Sequence, residues 1–493
     1  MFIVAVLFCS LLTVFVKNYA IRNHVFDNPK RARKVHNRDI PRLGGVAIIT
    51  SFTITLTIGS LFCDPLAELI WGESIALIVI FFGGLIIFFL GIFDDFFGLS
   101  HKTKLLVQFV VIALVVCLAE IAPFFLQFPI LGKIFLPSGF SFLLAFLWIT
   151  GMTNSINLVD GLDGLATGIS LIGLLAIIIV TYTLEINQVL FPAFLFSGCL
   201  LGFLIFNSRP ACIFLGDCGS LTTGYFVGCF SLLASFREKG AIEALFPVIL
   251  FAVPIADCFL AIFRRLFSGR SPFYPDVEHI HHRLMKKGLS HGKTVVVIWL
   301  IALICAYVSV ALEWFNRDFL LAILVSFVFG CLVLLRYLGF FRIDFLTKDF
   351  VSFIEKRNSV VYSERIIKKA ETLLKKSTNY ENLNKVLESI ALVLDCDEIK
   401  LCFFKQLKVK TDEKNFNTRD SIKNFYWKSH KSPTHFNSDE EFVLKYPLAG
   451  RNTIYGDISY RFISKRFKIQ IEEEIQLERI HDALVVLATK IKM

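Results

Sequence analysis

Charge is scarce in this chain, and its absence is patterned. Only 19% of the 493 residues are Asp, Glu, Lys or Arg, against 55% hydrophobic, far from the balance of a soluble globular protein. The stretches 74–93, 105–119, 165–184, 189–206, 295–312 and 319–335 hold no charged residue and approach the roughly 20 residues that cross a hydrocarbon core. Cys-x-x-Cys pairs are missing as well. The 12 cysteines lie mostly singly in apolar segments, among them Cys9, Cys117, Cys199, Cys258, Cys305 and Cys331, as reduced packing residues do, which argues against a redox or zinc centre. No positive charge precedes the first apolar run, and no small-residue cleavage site precedes Lys17 and Arg22. Residues 1–20 therefore read as a retained first span with the N-terminus outside. Neither an internal repeat nor a low-complexity tract is visible.

The fold expected is an all-α polytopic membrane protein of about eleven transmembrane helices, near 1–20, 43–63, 74–93, 104–122, 138–155, 162–184, 188–206, 217–236, 241–263, 293–313 and 317–337, with a C-terminal cytoplasmic α+β domain. The net charge of +10 falls in clusters that flank spans, which speaks for topology and anionic groups and against a nucleic-acid partner. Loops 21–42 and 264–292 are dense in Lys and Arg, whereas the opposite loops carry only Lys133, Arg237, Lys239 and Arg317. By the positive-inside rule the dense loops, 94–103, 154–163, 207–216 and the chain after the last span are cytoplasmic.

Acids converge on that face. Asp94 and Asp95 end the third span in GIFDDFFGLS, Asp160 and Asp163 lie in TNSINLVDGLDGLATG, and Asp217 lies in FLGDCGSLTTG. Charge at the end of a span is costly unless paired, solvated or bound to a cation, so acids on one face suggest a site. Asn154, Asn157, Asp160 and Asp163 recur every three residues and would form one polar stripe on a helix. Their hard oxygens suit Mg2+, with Mn2+ as a substitute. Asp217 lies between Gly216 and Gly219, with Ser220 as a cap for the following helix, whose N-terminus would offer free N–H groups to a phosphate. The loop RRLFSGRSPFYPDVEHIHHRLMKKGLSHGK crowds His279, His281 and His282 beside Arg264, Arg265, Arg270 and Arg283. It reads as a clamp for a pyrophosphate, its histidines donating hydrogen bonds or exchanging a proton near neutral pH. The basic segment DNPKRARKVHNRDIPRLGG serves equally as a positive-inside anchor or as a substrate contact.

Taken in order, RKVHNRDIPRLGG, GIFDDFFGLSHKTKLLVQ, TNSINLVDGLDGLATG, FLGDCGSLTTG and SPFYPDVEHIHHRLMKKGLSH resemble the polyprenyl-phosphate N-acetylhexosamine-1-phosphate transferases, the superfamily of WecA, TagO and MraY. The HIHH segment after SPFYPD is closer to the WecA/TagO-like branch. The resemblance covers about 1–340. It implies transfer of N-acetylhexosamine-1-phosphate, in the first place GlcNAc-1-phosphate, from a UDP-N-acetylhexosamine to polyprenyl (undecaprenyl) phosphate with release of UMP. That reaction begins cell-envelope polysaccharide or glycolipid assembly at the plasma membrane. It further implies that Asp217 and Asn157 bind Mg2+ and that Asp94 and Asp95 stand nearest the acceptor chemistry. Asp160, Asp163 and His279, His281, His282 with Arg283 would face the nucleotide sugar, and Lys104 would hold the lipid phosphate. Two routes stay open, a single displacement and a phosphoryl-aspartate intermediate. UDP-GalNAc and a MurNAc-pentapeptide donor are the alternatives for the sugar.

A transporter would instead place acids near mid-span in two related halves. Here they gather at one interface. Past residue 340 the sequence turns densely charged: 363–392 reads as an amphipathic helix, EIKLCFFKQ, EFVLKYPL and YGDISYRF as strands around a Gly-Arg-Asn turn, and 470–490 as a final helix. This 341–493 domain resembles a GAF domain. It permits a structural or dimerising unit, which would make the protein a homodimer, a ligand sensor, or a docking platform.

Overall fold

The computed structural model describes residues 1–23, 25–27, 40–62, 75–123, 125–128, 132–235, 241–243, 245–267, 279–314, 325–331, 333, 336–337, 366–374, 383–394, 398–408, 421–428, 442–449, 453–462, 480–485 and 487. The chain divides into two compact units, Met1–Leu266 with Ser271–Ile343, and Phe267–Arg270 with Asp344–Met493.

The first unit is helical: α1 Phe2–Arg22, α2 Gly44–Phe62, α3 Ile75–Phe97, α4 His101–Leu118, α5 Ser138–Val159, α6 Leu165–Thr183, α7 Asn187–Asn207, α8 Gly216–Ala234, α9 Leu245–Leu250, α10 Ala252–Phe267, α11 Ile280–Lys286 and α12 His291–Trp314. Among the described residues, eight of these helices (α1 to α7 and α12) are long and apolar enough to cross a membrane. The segment expected as one span over 241–263 is instead α9 and α10, separated at Phe251. Pro254 has no N–H to give the carbonyl of Leu250, so the regular ladder is interrupted there. The span expected at 317–337 lies largely outside the described residues. At one end of the unit a small sheet of order β4-β3-β5 joins β3 Phe125–Phe128, β4 Gly132–Phe135 and β5 Ala241–Glu243. Near the start of the chain β1 Phe26–Asp27 pairs with β2 Ile40–Pro41.

α8 is the centre of the first unit. Every one of its residues except Asp217 and Leu233 is buried, and α2, α3, α5 and α6 pack around it. Its small residues explain why so polar a helix is enclosed, since small side chains let backbones approach closely where lipid gives no hydrophobic drive between helices. A Cβ on Gly91 of α3 would come 2.4 Å from Cα of Cys218, and one on Gly45 of α2 would come 2.2 Å from the backbone nitrogen of Gly219. Away from this end the contact is aromatic, with Phe52 edge-on to Phe226 at 5.4 Å and to Phe196 at 5.0 Å between ring centroids. Hydroxyls in the apolar interior are satisfied locally, as Thr222 donates to the carbonyl of Cys218 at 2.7 Å and Thr55 to that of Ser51 at 2.7 Å.

In the second unit the helix expected over 363–392 is described as helical at 366–374 and as α13 Leu383–Leu394, and the final helix at 480–485 and 487. The sheet is antiparallel, of order β7-β6-β9-β8, from β6 Glu398–Lys408, β7 Ser421–Lys428, β8 Phe442–Ala449 and β9 Thr453–Phe462. β8 and β9 form the expected hairpin, Phe442 opposite Phe462, and its Gly-Arg-Asn turn lies outside the described residues. β7 had no strand signature, because the adjacent Phe425, Tyr426 and Trp427 mask any alternation.

The close approach of α3 to α8 gives a test. Gly91→Leu should lower the detergent thermal midpoint sharply, a cost of about 3 kcal/mol or more from overpacking against backbone. Gly151→Ala, where a Cβ meets nothing within 4 Å, should be neutral or slightly stabilising. Equal midpoints for the two variants would contradict the packing described.

Candidate active site

Two helix ends and two helix starts meet at the site. α3 ends with Asp94 and Asp95, α4 begins beside Lys104, α5 ends just past Asn157, and α8 begins with Asp217. Lys104 Nζ lies 2.5 Å from Asp94 Oδ2 and 3.0 Å from Asp217 Oδ2. Asn157 Nδ2 donates to Asp217 Oδ1 at 2.9 Å and to Ser220 Oγ at 2.8 Å. Asp94 Oδ1 also accepts from the backbone N–H of Leu99 at 2.6 Å, which ties the turn after α3 to the site. One turn along α4 from Lys104, buried Gln108 accepts from Asn154 Nδ2 at 2.8 Å and so locks α4 against α5.

Asp95 faces away from this group. Its side chain is fully buried, and its two oxygens accept from the backbone N–H groups of Asp217 and Cys218, each at 3.0 Å, with Arg42 Nε at 3.8 Å. Asp95 is thus a cap on α8 supplied from a neighbouring helix. Two expectations about the start of α8 are corrected by this geometry. Ser220 does not cap α8, since it sits one turn inside and donates to the carbonyl of Gly216 at 3.0 Å. Nor does the helix start offer free N–H groups at Asp217 and Cys218, because Asp95 holds them.

The polar stripe is shorter than the spacing suggested. α5 stops at Val159, Asp160 is its C-terminal cap, and a turn leads through Gly164, at φ +74°, into α6. Asn154 and Asn157 share a face, while Asp163 is carried off to another contact. Its Oδ2 accepts from the backbone N–H of Ala211 at 3.2 Å, and its own N–H donates to Nε2 of His291 at 3.1 Å.

The histidines are built in from the other side of that turn. His279 Nδ1 lies 3.0 Å from Oδ2 of Asp257, a residue of α10 that is 2% exposed, and Ile280 N–H donates to Asp257 Oδ1 at 2.8 Å. The His279 and His281 rings are parallel within 3° at 5.8 Å, and His281 and His282 are 4.3 Å apart. A Cβ on Gly161 would meet Nε2 of His281 at 2.8 Å, so the cluster packs on the turn that carries Asp160 and Asp163. Arg283 follows His282 on α11, while Arg270 and the SPFYPD segment are outside the described residues. Sequence reasoning missed Asp257, Gln108 and His291. For Asp257 a signal existed, a single acid in the apolar run AVPIADCFLAIF.

Burial, with the neighbouring charge of His282 adding to it, pushes His281 down from the ordinary 6.5 to about 3. Burial thus favours the neutral form of His281 at physiological pH.

Among the described residues no three His, Cys, Asp or Glu side chains form a metal cage. Mg2+ commonly needs fewer, taking one or two carboxylates and completing its shell with substrate phosphate and water. Asp94 and Asp217 converge on the Lys104 ammonium, so a pair of hard oxygens already shares one cation, and the donor chemistry fits the ion. Asn157 here turns its Nδ2 to Asp217 and would offer its amide oxygen as a ligand.

Fold and cluster together are those of a polytopic membrane protein with a charged site at one end of its helices. Residues 77–235 match glycosyl transferase family 4. A probable undecaprenyl-phosphate N-acetylglucosaminyl 1-phosphate transferase of Bacillus subtilis is 38% identical over 331 residues, 66% of this chain and 89% of the relative. A decaprenyl-phosphate N-acetylglucosaminephosphotransferase of Mycolicibacterium smegmatis is 34% identical over 62% of this chain and 79% of its own. A phospho-N-acetylmuramoyl-pentapeptide-transferase of Listeria monocytogenes is 30% identical over 64% and 96%. The chain belongs to this family of membrane-embedded sugar-phosphate transferases.

The buried histidine sets a pH dependence. Below about pH 6.5 the unfolded chain binds a proton at His281 that the folded chain refuses until about pH 3, so stability is full above 6.5 and falls as the pH drops. About 2 kcal/mol should be gone by pH 5. Thermal unfolding in detergent at about pH 7.5 and about pH 5 should show a larger drop for wild type than for His281→Gln. That substitution keeps Asp257, His279 and His282, so an equal drop in both proteins would rule out the assignment.

Proposed function

We propose that the chain transfers GlcNAc-1-phosphate from UDP-GlcNAc to a polyprenyl phosphate and releases UMP. The observation that carries this is the convergence of Asp94, Lys104, Asn157 and Asp217 from four helices in one hydrogen-bonded cluster at the end of the bundle. A polyprenyl phosphate is already anionic, so its attack on the β-phosphorus of the donor needs charge balance and alignment more than a strong base. The acceptor oxygen forms the new P–O bond as the bond to UMP breaks, and UMP departs with that electron pair. The bond between C1 and its oxygen is untouched, so the anomeric configuration is retained.

Lys104 suits the acceptor phosphate, because its ammonium already bridges the two acids and reaches an incoming anion by a small shift. Asp94 takes the last proton from that phosphate where one remains. Asp217 and Asn157 would hold Mg2+, which would supply charge neutralisation for the diphosphate. Asp160 and the His279, His282 and Arg283 group face the nucleotide sugar, and Asp163 with His291 holds the turn between them. A single displacement is favoured, since both oxygens of Asp95 are occupied by backbone N–H groups and Asp94 is pinned by Lys104 and Leu99.

The site lies on the cytoplasmic side, in keeping with the Lys and Arg of loops 21–42 and 264–292. The N-terminus is outside, and the full count of spans is eleven. For the second unit we favour a GAF-like module that pairs two copies of the chain, which its four-stranded antiparallel sheet and α13 are compatible with.

Release of UMP from UDP-GlcNAc with undecaprenyl phosphate tests the reaction, and wild type inactive with every UDP-N-acetylhexosamine tried would overturn it. Asp217→Asn should cut turnover by about a hundredfold or more through lost charge at the diphosphate. Chelation should silence wild type and added Mg2+ should restore it. Near-normal turnover by Asp217→Asn at ordinary Mg2+ would remove Asp217 as principal ligand.

A further inference from the structure

Asp257 is not used by the chemistry above, yet it is a carboxylate 2% exposed on α10, where an unpaired charge would be expensive. Both its oxygens are committed to one element, Oδ2 to Nδ1 of His279 at 3.0 Å and Oδ1 to the backbone N–H of Ile280 at 2.8 Å. An ionised carboxylate only accepts hydrogen bonds. Nδ1 of His279 must therefore carry the ring proton, and Nε2 is left for another partner. The same two contacts fix the ring in space, because one grips the side chain and the other its own backbone neighbour. His279 then stacks on His281, which packs on Gly161, the residue after Asp160.

The geometry points to Asp257 as the positioning residue of the histidine cluster: it sets the tautomer and orientation of His279 so that Nε2 keeps its lone pair and accepts a hydrogen bond from a hydroxyl or N–H group of the nucleotide sugar. This rests on the transferase reading. The ring donates from Nδ1 to Asp257 and accepts at Nε2, the tautomer that a buried acid selects for a histidine in acyl-transfer triads. Asp257 itself touches no substrate.

Asp257→Asn separates this role from simple capping. The Ile280 N–H still needs an acceptor, so the amide oxygen stays there and the NH2 group faces Nδ1. Nδ1 must then accept, the ring proton moves to Nε2, and the tautomer is reversed while shape and cap are kept. The expected result is a fall in kcat of about a hundredfold or more, with the KM for UDP-GlcNAc within about threefold and the thermal midpoint close to wild type. In a His279→Gln background the same substitution should cost nothing further, because its effect passes through the ring. If Asp257→Asn does not accumulate, the cycle run with Asp257→Glu carries the test, since the extra methylene displaces the ring but keeps both acceptors. A kcat within about threefold of wild type, or an equal loss in the His279→Gln background, would make Asp257 a structural cap and overturn the inference. Wild type that releases no UMP would sink the transferase reading instead, and that is seen before any variant is assayed.

Discussion

Two backbone N–H groups at the start of α8 point at a carboxylate that belongs to another helix, and the site's geometry depends on that contact. Asp95 is fully buried, and each of its oxygens lies 3.0 Å from one of those groups. Unpaired donors at a buried helix start, or an unpaired acid opposite them, would each cost several kcal/mol, so the two needs are met together. The donors are those of Asp217 and Cys218, so the cap also fixes where the Asp217 carboxylate stands. Adjacent residues on α3 then do different work: Asp95 aligns the helix, and Asp94 reaches Lys104 at 2.5 Å.

The same device recurs across the turn after α5. Asp257 accepts from the first N–H of α11 and from the side chain of His279 just before it. In both places an acid buried on one helix ends a second element and orients the functional side chain at its start. Loops are the usual carriers of catalytic groups because they are free to vary. Here the candidate groups sit on helix ends whose backbone donors are tied down, which under the proposed reading suits a site whose charges must be held apart until phosphate arrives.

Much of this was legible in the sequence, and what was not has a common cause. Apolar runs and their flanking Lys and Arg marked the membrane helices, and the acids Asp94 and Asp217 were visible as charge where charge is costly. Pairing between elements was not. Nothing in DDFFG distinguishes Asp94 from Asp95, because the difference lies in which helix each side chain meets. Three-residue spacing suggested one stripe from Asn154 to Asp163, but α5 ends at Val159, and a period read from sequence does not show where a helix stops. Asp257 hid inside an apolar run because its partner His279 lies in another segment. In the second unit alternation found the β8 and β9 hairpin and failed at β7, where three aromatics in a row carry no period.

The charge count of the site explains why a cation and an anion belong there together. Among the described residues, and with all five groups ionised, the carboxylates of Asp94, Asp95 and Asp217 lie against Lys104 and Arg42, three negative charges to two positive. A phosphate brought to that group alone would meet repulsion, strengthened by apolar walls that screen charge poorly. Under the proposed reading a divalent cation turns the balance to one positive charge, which then favours a diphosphate and a lipid phosphate. Arg42 is the more distant cation, at 3.8 Å from Asp95, and Asp95 is already satisfied by N–H groups. The working balance therefore lies among Asp94, Asp217 and Lys104, so that under the proposed reading a cation held by Asp217 would let Lys104 follow an incoming phosphate.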